Sequence, residues 1–246
     1  RDLNRSFPGS PSGSLASRLA NVFMEEVVAR SDYGIDLHTA AVNRVNLPQI
    51  RIDTTDKVAH KLADAFAPPV VVNSALRDGS LRHAAREQGV PVMVFEAGKG
   101  LRFDETAIRV GVKGVLNVLR FLGMTGKAPT GHMAKTRPAC APLATKSAWV
   151  RATEGGIARI HCKVGQFVKR GDLLGVVSDP FGERDTELFA LRDGLIIGRS
   201  NLPVVNQGDA LIHIADIPKA EAAHADLDVI EEAFDGDPLF DEDEIL

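Results

Sequence analysis

The first half of the chain alternates helical and strand-like patterns of apolar residues. Helical spacing of apolar positions predicts helices over residues 12–30, 53–66, 80–89 and 104–123. Short β-branched or apolar runs predict strands over residues 34–39, 70–73 and 91–98. This alternation favours an α/β layer fold, with a largely parallel or mixed sheet flanked by helices.

Three of these helices have apolar stripes, which in the helix over 53–66 consist of Val58, Leu62 and Phe66. In the first helix the stripe consists of Leu15, Leu19, Val22, Phe23 and Val27. In the helix over 104–123 the residues expected to face inward are Ile108, Val112, Val115, Leu116 and Leu119. Such stripes are typical of helices that pack one side against a core.

The pattern changes near residue 125. Residues 125–148 are rich in Pro, Thr, Ala and Lys, which predicts a linker with room for a return strand. From 149 to 216 there are only short β-like runs, and residues 155–179 and 193–216 repeat one pattern: an opening strand, Val-x-x-Gly-Asp-x-Leu, and a closing strand. We therefore expect a partial catalytic domain over 1–124, a C-terminal all-β domain with pseudo-twofold symmetry, and an acidic tail over 217–246.

Composition excludes several classes of protein. The chain has 246 residues, 44% hydrophobic and 25% charged, with a net charge of −4, so neither nucleic acid nor an anionic membrane is an expected partner. No apolar run approaches the ~20 residues of a membrane helix. The two cysteines, Cys140 and Cys162, are too few for a disulfide framework, which favours a reducing, cytoplasmic compartment.

Two polar side chains follow buried strands at positions suited to chemistry. His38 comes at the end of strand 34–39, and Asp36 shares its face of that strand. Glu96 follows the apolar run 92–95, where a carboxylate is costly unless it has a partner or a use. Taken alone, His38 is more simply explained as a structural or exposed residue, whereas Glu96 is equally compatible with a structural and a functional role. Because both lie at the carboxyl end of an inner strand, where α/β sheets bind ligands, we expect a site there.

Asn4 and Arg5 form a third candidate element. They lie in a polar loop rich in Pro and Gly over residues 1–11 and offer hydrogen-bond donors suited to a carboxylate. Taken alone, the pair is more simply explained as part of a surface loop.

Three segments in this order resemble the succinylglutamate desuccinylase/aspartoacylase family, which has the zinc carboxypeptidase fold. They are RDLNRSFPG at 1–9, DLHT at 36–39 and FEAG at 95–98. The resemblance implies a zinc-dependent deacylase in which His38 is a zinc ligand, Glu96 is the general base, and Asn4 and Arg5 bind the substrate carboxylate. A further substrate-binding arginine of the family matches Arg82 best, with Arg86 as the alternative.

The chain departs from the family pattern in one respect. The family's first two zinc ligands belong to a His-Gly-x-Glu block that precedes the Asp-Leu-Asn-Arg segment, and this chain has no such block. A catalytic zinc normally has three protein ligands. We therefore expect the sequence to be truncated at its N-terminus, and the 246-residue chain to bind zinc poorly and to be nearly inactive.

The C-terminal β region resembles a biotinyl/lipoyl-type barrel-sandwich. Carrier domains of that type place a modified lysine in the turn between their repeats, but the turn at 179–188 contains none. No attached cofactor is expected there. The region is instead expected to pack beside the active site and limit substrate size, or to mediate homo-oligomers.

These observations favour zinc-dependent hydrolysis of small N-acyl amino acids. By resemblance, N-acetyl-diaminobutyrate, N-succinylglutamate and N-acetylaspartate are all candidate substrates. Two alternatives stay open: a metallocarboxypeptidase acting on short peptides, and a non-catalytic protein that binds carboxylates without metal. Only the missing His-Gly-x-Glu block favours the latter.

Overall fold

The computed structural model describes residues 2–126, 141–218, 222, 227–232 and 234. Cys140 and most of the predicted linker and acidic tail lie outside these residues. Within the described part, no helix is both long enough and apolar enough to cross a membrane. Cys162 is buried, and burial raises the pKa of its thiol.

The predicted helices are confirmed, with boundaries set by local caps. The four predicted helices are α1 (Leu15–Glu26), α2 (Lys57–Phe66), α3 (Leu81–Glu87) and α4 (Glu105–Phe121), with 3-10 turns at Leu3–Arg5 and Val28–Arg30. A fifth helix, α5 (Leu227–Glu232), lies in the segment expected to be an acidic tail and was not predicted. Before each of the first four, an oxygen of the preceding side chain accepts a hydrogen bond from a backbone N–H of the first turn; these caps are Ser14, Asp56, Ser80 and Asp104.

The strands of the first half are β1 (Gly34–Thr39), β2 (Arg44–Ile52), β3 (Val70–Asn73) and β4 (Val92–Lys99). The rest are β5 (Leu143–Ala144), β6 (Ser147–Arg151), β7 (Gly156–Ile160), β8 (Phe167–Val168), β9 (Leu173–Ser178), β10 (Asp185–Phe189), β11 (Gly194–Ser200), β12 (Val204–Val205) and β13 (Ala210–Ala215).

One mixed sheet organises the molecule. Its main order is β1-β4-β2-β11-β13-β6, with β3 beside β2, β5 beside β3 and β8 beside β11. Strand β4 runs parallel to β1 and antiparallel to β2, whereas β2 and β3 are parallel. The predicted mixed α/β fold is therefore confirmed.

The central strand β2 was not predicted from the sequence. Its apolar residues, such as Leu47 and Ile50, are fully buried, but polar Asn46 and Gln49 lie between them. The register with β4 shifts between Asn46 and Gln49, around Pro48. A bulge of this kind tolerates a proline and breaks the two-residue alternation by which strands are identified.

Helices α2 and α4 pack on one face of the sheet through aromatic contacts. The rings of Phe66 and Phe95 lie 5.1 Å apart. Gly114 of α4 sits so close to Phe66 that a Cβ there would lie 2.2 Å from the ring. The buried residues of α4 are Val110, Gly114 and Val118. The residues predicted to face inward are only half-buried, because the close approach to Phe66 turns Gly114 and its neighbours on the same face toward α2.

The apolar stripe of α1 is largely exposed. Leu15 is 75% exposed, and Leu19, Val22, Phe23 and Val27 are also exposed. Helix α1 instead buries Ala20 and Met24, which pack in a small core together with Phe7 and Val92. Hydrophobic spacing thus predicted the helix correctly, but the residues that it buries are Ala20 and Met24 and not those of the stripe.

The two copies of the C-terminal repeat form matching sets of strands. The first copy contains β7, β8 and β9, and the second contains β11, β12 and β13. The short strand of each copy pairs with the opening strand of the other: β8 with β11, and β12 with β7. A second sheet has the order β10-β9-β7-β12, while β11 pairs with β2 and thereby extends the main sheet.

A stack of side chains joins β2 to the C-terminal strands. The guanidinium of Arg44 lies 4.6 Å from the Trp149 ring centre, and the His213 ring stacks on Trp149 at 4.5 Å. His213 Nε2 is 2.9 Å from the Ser147 hydroxyl. Burial, assisted by the charges of Arg51 and Arg44, lowers the pKa of His213 to about 3. His213 is therefore a neutral core residue.

Replacing Gly114 tests the packing of α4. We expect Gly114→Ala to lower the free energy of unfolding by about 1–3 kcal/mol, because the new methyl group would overlap the buried Phe66 ring. Alanine's better helix propensity, worth about 1 kcal/mol, offsets only part of this loss. Urea denaturation measures the change. Gly126→Ala, whose Cβ would meet no atom of the described residues within 4 Å, is the control. Equal stability of both variants would contradict the packing argument.

Candidate active site

Strand register places His38 and Glu96 side by side. In the parallel pairing of β1 with β4, His38 is opposite Glu96, and in the pairing of β2 with β4, Gln49 is opposite Glu96. Directly opposite residues project from the same face of a sheet. The three side chains therefore form one row, on the face opposite to Phe95 and helices α2 and α4.

Asp36 orients the His38 imidazole. Its Oδ2 lies 2.9 Å from His38 Nε2. This hydrogen bond is the main reason that the pKa of His38 is raised above its usual value. Burial opposes the shift, and the charges of Asp36, Glu96 and Asp2 support it. Because Asp36 engages Nε2, Nδ1 is the ring nitrogen left for another ligand.

The Glu96 carboxylate has two partners on β2. Asn46 Nδ2 donates a hydrogen bond to Glu96 Oε2 at 3.0 Å. Arg51 Nε lies 3.0 Å from the same oxygen, and this ion pair is only about one-fifth exposed. The Arg51 N–H is not aligned for a hydrogen bond, so the contact is chiefly electrostatic. Among the described residues, no hydrogen bond or ion pair reaches Oε1.

The N-terminal loop docks against the start of α3. Asn4 Oδ1 accepts a hydrogen bond of 2.9 Å from the backbone N–H of Leu81, and Phe7 N–H donates to Gly79 O at 3.0 Å. Arg5 donates to the carbonyl oxygen of Asn4 and lies 4.0 Å from Asp2, with its side chain half exposed. Its guanidinium thus contacts its own loop and solvent.

Arg82 is buried beneath the segment before α3. Its Nη2 donates to the carbonyl oxygens of Ser74 and Ala75, both at 2.9 Å. Its Nη1 is buried without a hydrogen-bond partner among the described residues, and burial lowers the pKa of the guanidinium. The alternative arginine, Arg86, is instead paired with Asp53. An unsatisfied, buried guanidinium N–H is a group that a bound carboxylate would satisfy.

The structure therefore brings together Asp36, His38 and Glu96 as one constellation. Asn4 accepts its hydrogen bond from Leu81 at the beginning of α3, next to Arg82 in the sequence, whereas the contacts described for Arg5 are with Asn4 and Asp2. Sequence reasoning missed the β2 residues that touch or adjoin Glu96, namely Asn46, Gln49 and Arg51. The available signal was their alternation with buried apolar residues, which the bulge at Pro48 obscures.

The described residues contain no group of three or more His, Cys, Asp or Glu side chains that could hold a metal ion. His38 has the donor and the orienting carboxylate typical of a zinc ligand. A catalytic zinc site normally requires three protein ligands. The described residues alone therefore do not make a complete zinc site.

Known proteins are similar to the segment that contains Asp36, His38 and Glu96. A family model described as the succinylglutamate desuccinylase/aspartoacylase catalytic domain matches residues 1–122. N-alpha-acetyl-L-2,4-diaminobutyric acid deacetylase from Halomonas elongata is 26% identical over 226 residues. That alignment covers 88% of this chain but 65% of the relative, so the chain spans about two thirds of the relative's length.

Solved structures share the fold. A succinylglutamate desuccinylase/aspartoacylase from Rhodobacter sphaeroides superposes with a TM-score of 0.77 at 24% identity, covering 89% of this chain and 68% of that one. The ectoine utilization protein EutE (DoeB) from Ruegeria pomeroyi, in its apo form, has a TM-score of 0.76 at 24% identity, covering 87% and 69%. These likenesses extend beyond the segment matched by the family model into the C-terminal strands.

Removing the Asp36 carboxylate tests the orientation of His38. In metal-free protein, Asp36→Asn should lower the pKa of His38, because it removes the main stabiliser of the charged ring. An NMR titration of the imidazole measures this pKa. Because Asp36 raises the pKa of His38 in the folded protein, the charged ring stabilises the fold at pH values below the pKa of His38 in the unfolded protein. This stabilisation is lost as the pH rises through the pKa of the folded protein. The variant should therefore lose more stability below about pH 6 than above about pH 8.

Asp64→Asn, on helix α2 at the other face of the sheet, is the matched control and should leave the His38 titration unchanged. An unaltered titration in Asp36→Asn would show that the contact does not govern the ring.

Proposed function

Because the chain belongs to the succinylglutamate desuccinylase/aspartoacylase family, we propose that it carries the general base and substrate-binding residues of a zinc-dependent amidohydrolase. The proposed reaction is hydrolysis of the amide bond of a small N-acyl amino acid to a carboxylate and a free amine. The observation that carries the proposal is the register of β1 with β4, which sets Glu96 beside an oriented His38.

Glu96 is the proposed general base. Its side chain is about one-quarter exposed, so water can reach it, and Oε1 is the oxygen with no described partner. A carboxylate held in this way can accept a proton from the attacking water and later deliver it to the leaving amine. One carboxylate beside the scissile bond is sufficient for both proton transfers, and Glu96 is the residue proposed for this role.

Asn4, Arg5 and Arg82 are the proposed substrate-binding residues. Arg82 Nη1, which has no partner among the described residues, and the half-exposed guanidinium of Arg5 offer positive charge for the carboxylate of the amino acid. Asn4 fixes the loop that carries Arg5 against α3. Arg5 would have to exchange its contact with its own loop for the substrate, which charge-assisted hydrogen bonding favours.

We propose Zn²⁺ as the cofactor, with His38 as one ligand through Nδ1 and Asp36 as its orienting partner. Zinc, when bound, lowers the pKa of a water molecule and polarises the amide carbonyl. The described residues supply one imidazole toward the three protein ligands that such a site needs. The 246-residue chain by itself is therefore expected to bind zinc weakly and to have little activity.

The substrate class follows from the relatives. The Halomonas elongata protein is named for N-alpha-acetyl-L-2,4-diaminobutyric acid, and the family model for succinylglutamate desuccinylase and aspartoacylase. The corresponding N-acetyl and N-succinyl amino acids are the substrates to test. The competing hypothesis is a metal-free carboxylate-binding protein, which the lack of a three-ligand cluster among the described residues favours.

The C-terminal strands have a proposed role in substrate size selection. We propose that residues 149–216 form a barrel-sandwich domain beside the catalytic domain 1–124, and that it restricts access to small, cytoplasmic substrates. Two facts support this: the reciprocal pairing of the repeat copies, and the pairing of β11 with β2 next to the site.

Metal content and turnover test the proposed function together. The full-length protein should contain one zinc per chain by mass spectrometry and hydrolyse at least one N-acyl amino acid from a panel of N-acetyl and N-succinyl compounds. Glu96→Ala should abolish turnover, a loss of about 100-fold or more, and retain the zinc, because the base is removed and the ligands are kept. Absence of zinc together with retained carboxylate binding would favour the binding protein.

Arg5→Ala tests carboxylate recognition. Loss of a hydrogen bond to a charged group costs about 1.5–3 kcal/mol, so KM should rise roughly 10- to 100-fold. Arg30→Ala, which removes an exposed arginine paired with Glu26, is the matched control and should leave KM unchanged. An unchanged KM in Arg5→Ala would reassign the role of that residue.

A further inference from the structure

We infer that Asn46 and Arg51 of β2 are positioning residues that hold the Glu96 carboxylate by Oε2 and thereby leave Oε1 as the oxygen that accepts the proton. This inference rests on the proposed role of Glu96 as general base. Neither residue belongs to the motifs at 1–9, 36–39 and 95–98, and both come from a strand that the sequence pattern did not reveal.

Both contacts converge on one oxygen. Asn46 Nδ2 and Arg51 Nε each lie 3.0 Å from Glu96 Oε2. A carboxylate held at one oxygen by two groups loses the freedom to exchange its two oxygens by rotation about its terminal torsion, which is otherwise broad and roughly two-fold. The second oxygen then keeps a constant direction, which a base needs in order to meet a water molecule at one place.

The Arg51 contact has room to tighten. Its Nε–H is buried but not aligned with an acceptor, although it lies within ion-pair distance of Glu96. Catalytic hydrogen bonds are often poorly aligned in ligand-free structures and improve in the complex. We therefore expect this contact to become an aligned hydrogen bond when substrate binds, as a positioning role for Arg51 requires.

Asn46 is fixed from the C-terminal side. It is 8% exposed, and in the pairing of β2 with β11 it lies opposite Gly198. A Cβ at Gly198 would lie 2.7 Å from Asn46 Oδ1, so the missing side chain leaves room for the amide. Strand β11 therefore contacts Asn46 directly, the residue that donates a hydrogen bond to Glu96.

Gln49 anchors the same segment of β2. It is fully buried, and its Nε2 donates to the carbonyl oxygen of Ile197 in β11 at 3.2 Å. Gln49 lies between the two positioning residues and opposite Glu96. The segment that carries both contacts is thus fastened to β11 on both sides of the bulge, so its position relative to β4 is fixed by the C-terminal strands.

An alternative role for Arg51 makes a different kinetic prediction. Arg51 is near enough to Arg82 for its charge to lower the pKa of Arg82, so it could bind the substrate carboxylate instead. A substrate-binding arginine would affect KM, whereas a positioning residue affects kcat. The split between the two parameters therefore separates the roles.

The test uses Asn46→Ala and Arg51→Met in the full-length protein. We expect each to lower kcat about 10- to 100-fold, the usual effect of losing a residue that orients a catalytic group, with KM and zinc content unchanged. Arg51→Lys should recover most of the activity, because it keeps a cation near Oε2. Crystal structures of the two truncated variants should show the Glu96 carboxylate rotated or in more than one orientation.

Arg159→Met is the matched control, because it removes an arginine that pairs with Asp185 at 3.1 Å in the other sheet. It should leave kcat unchanged. If Asn46→Ala does not fold, Asn46→Ser, which keeps a small polar group, is expected to give the same kcat loss.

Two outcomes would overturn the inference: unchanged kcat with an ordered Glu96, or a raised KM at constant kcat in Arg51→Met. Failure of the proposed function looks different. If the parent protein hydrolyses no compound of the panel, the deacylase proposal fails, and the orientation of Glu96 in the variant crystals still decides whether Asn46 and Arg51 hold it.

Discussion

The hydrogen bonding of β4 between β1 and β2 is the constraint on which the candidate site depends. Parallel pairing sets His38 level with Glu96, and antiparallel pairing on the other edge sets Gln49 level with the same residue. A shift of one residue in either pairing would turn one of these side chains to the helix-covered face. The apolar contacts of Phe95 with Phe66 hold that register, because Phe95 must stay on the opposite face.

Charges in the site are balanced in pairs. Asp36 faces His38, and Arg51 faces Glu96, so each functional group has a partner of opposite or complementary charge. Pairing of this kind reduces the cost of keeping polar groups partly buried. The buried Nη1 of Arg82 has no hydrogen-bond partner among the described residues, and this observation supports its proposed role in binding the substrate carboxylate.

The C-terminal strands contribute to the same sheet that carries the site. Strand β11 pairs with the first residues of β2. The stack of Arg44, Trp149 and His213 also joins β2 to the C-terminal strands β6 and β13. Gln49 donates a hydrogen bond to β11, while β2 itself pairs with β4. Contacts from both halves of the chain therefore fix the position of the β2 segment that contacts Glu96. The contacts of Glu96 thus depend on residues far apart in sequence.

The sequence by itself determined the local features. Caps such as Ser80 and Asp104 set the helix starts, and the positions of His38 and Glu96 after apolar runs, together with three short motifs, indicated the family. Only the tertiary structure decided the place of β2, the partners of Glu96 and which side of α1 is buried. The physical reason is that caps and strand ends depend on neighbours in the chain, whereas strand pairing, a bulge at Pro48 and side-chain burial depend on contacts between distant segments.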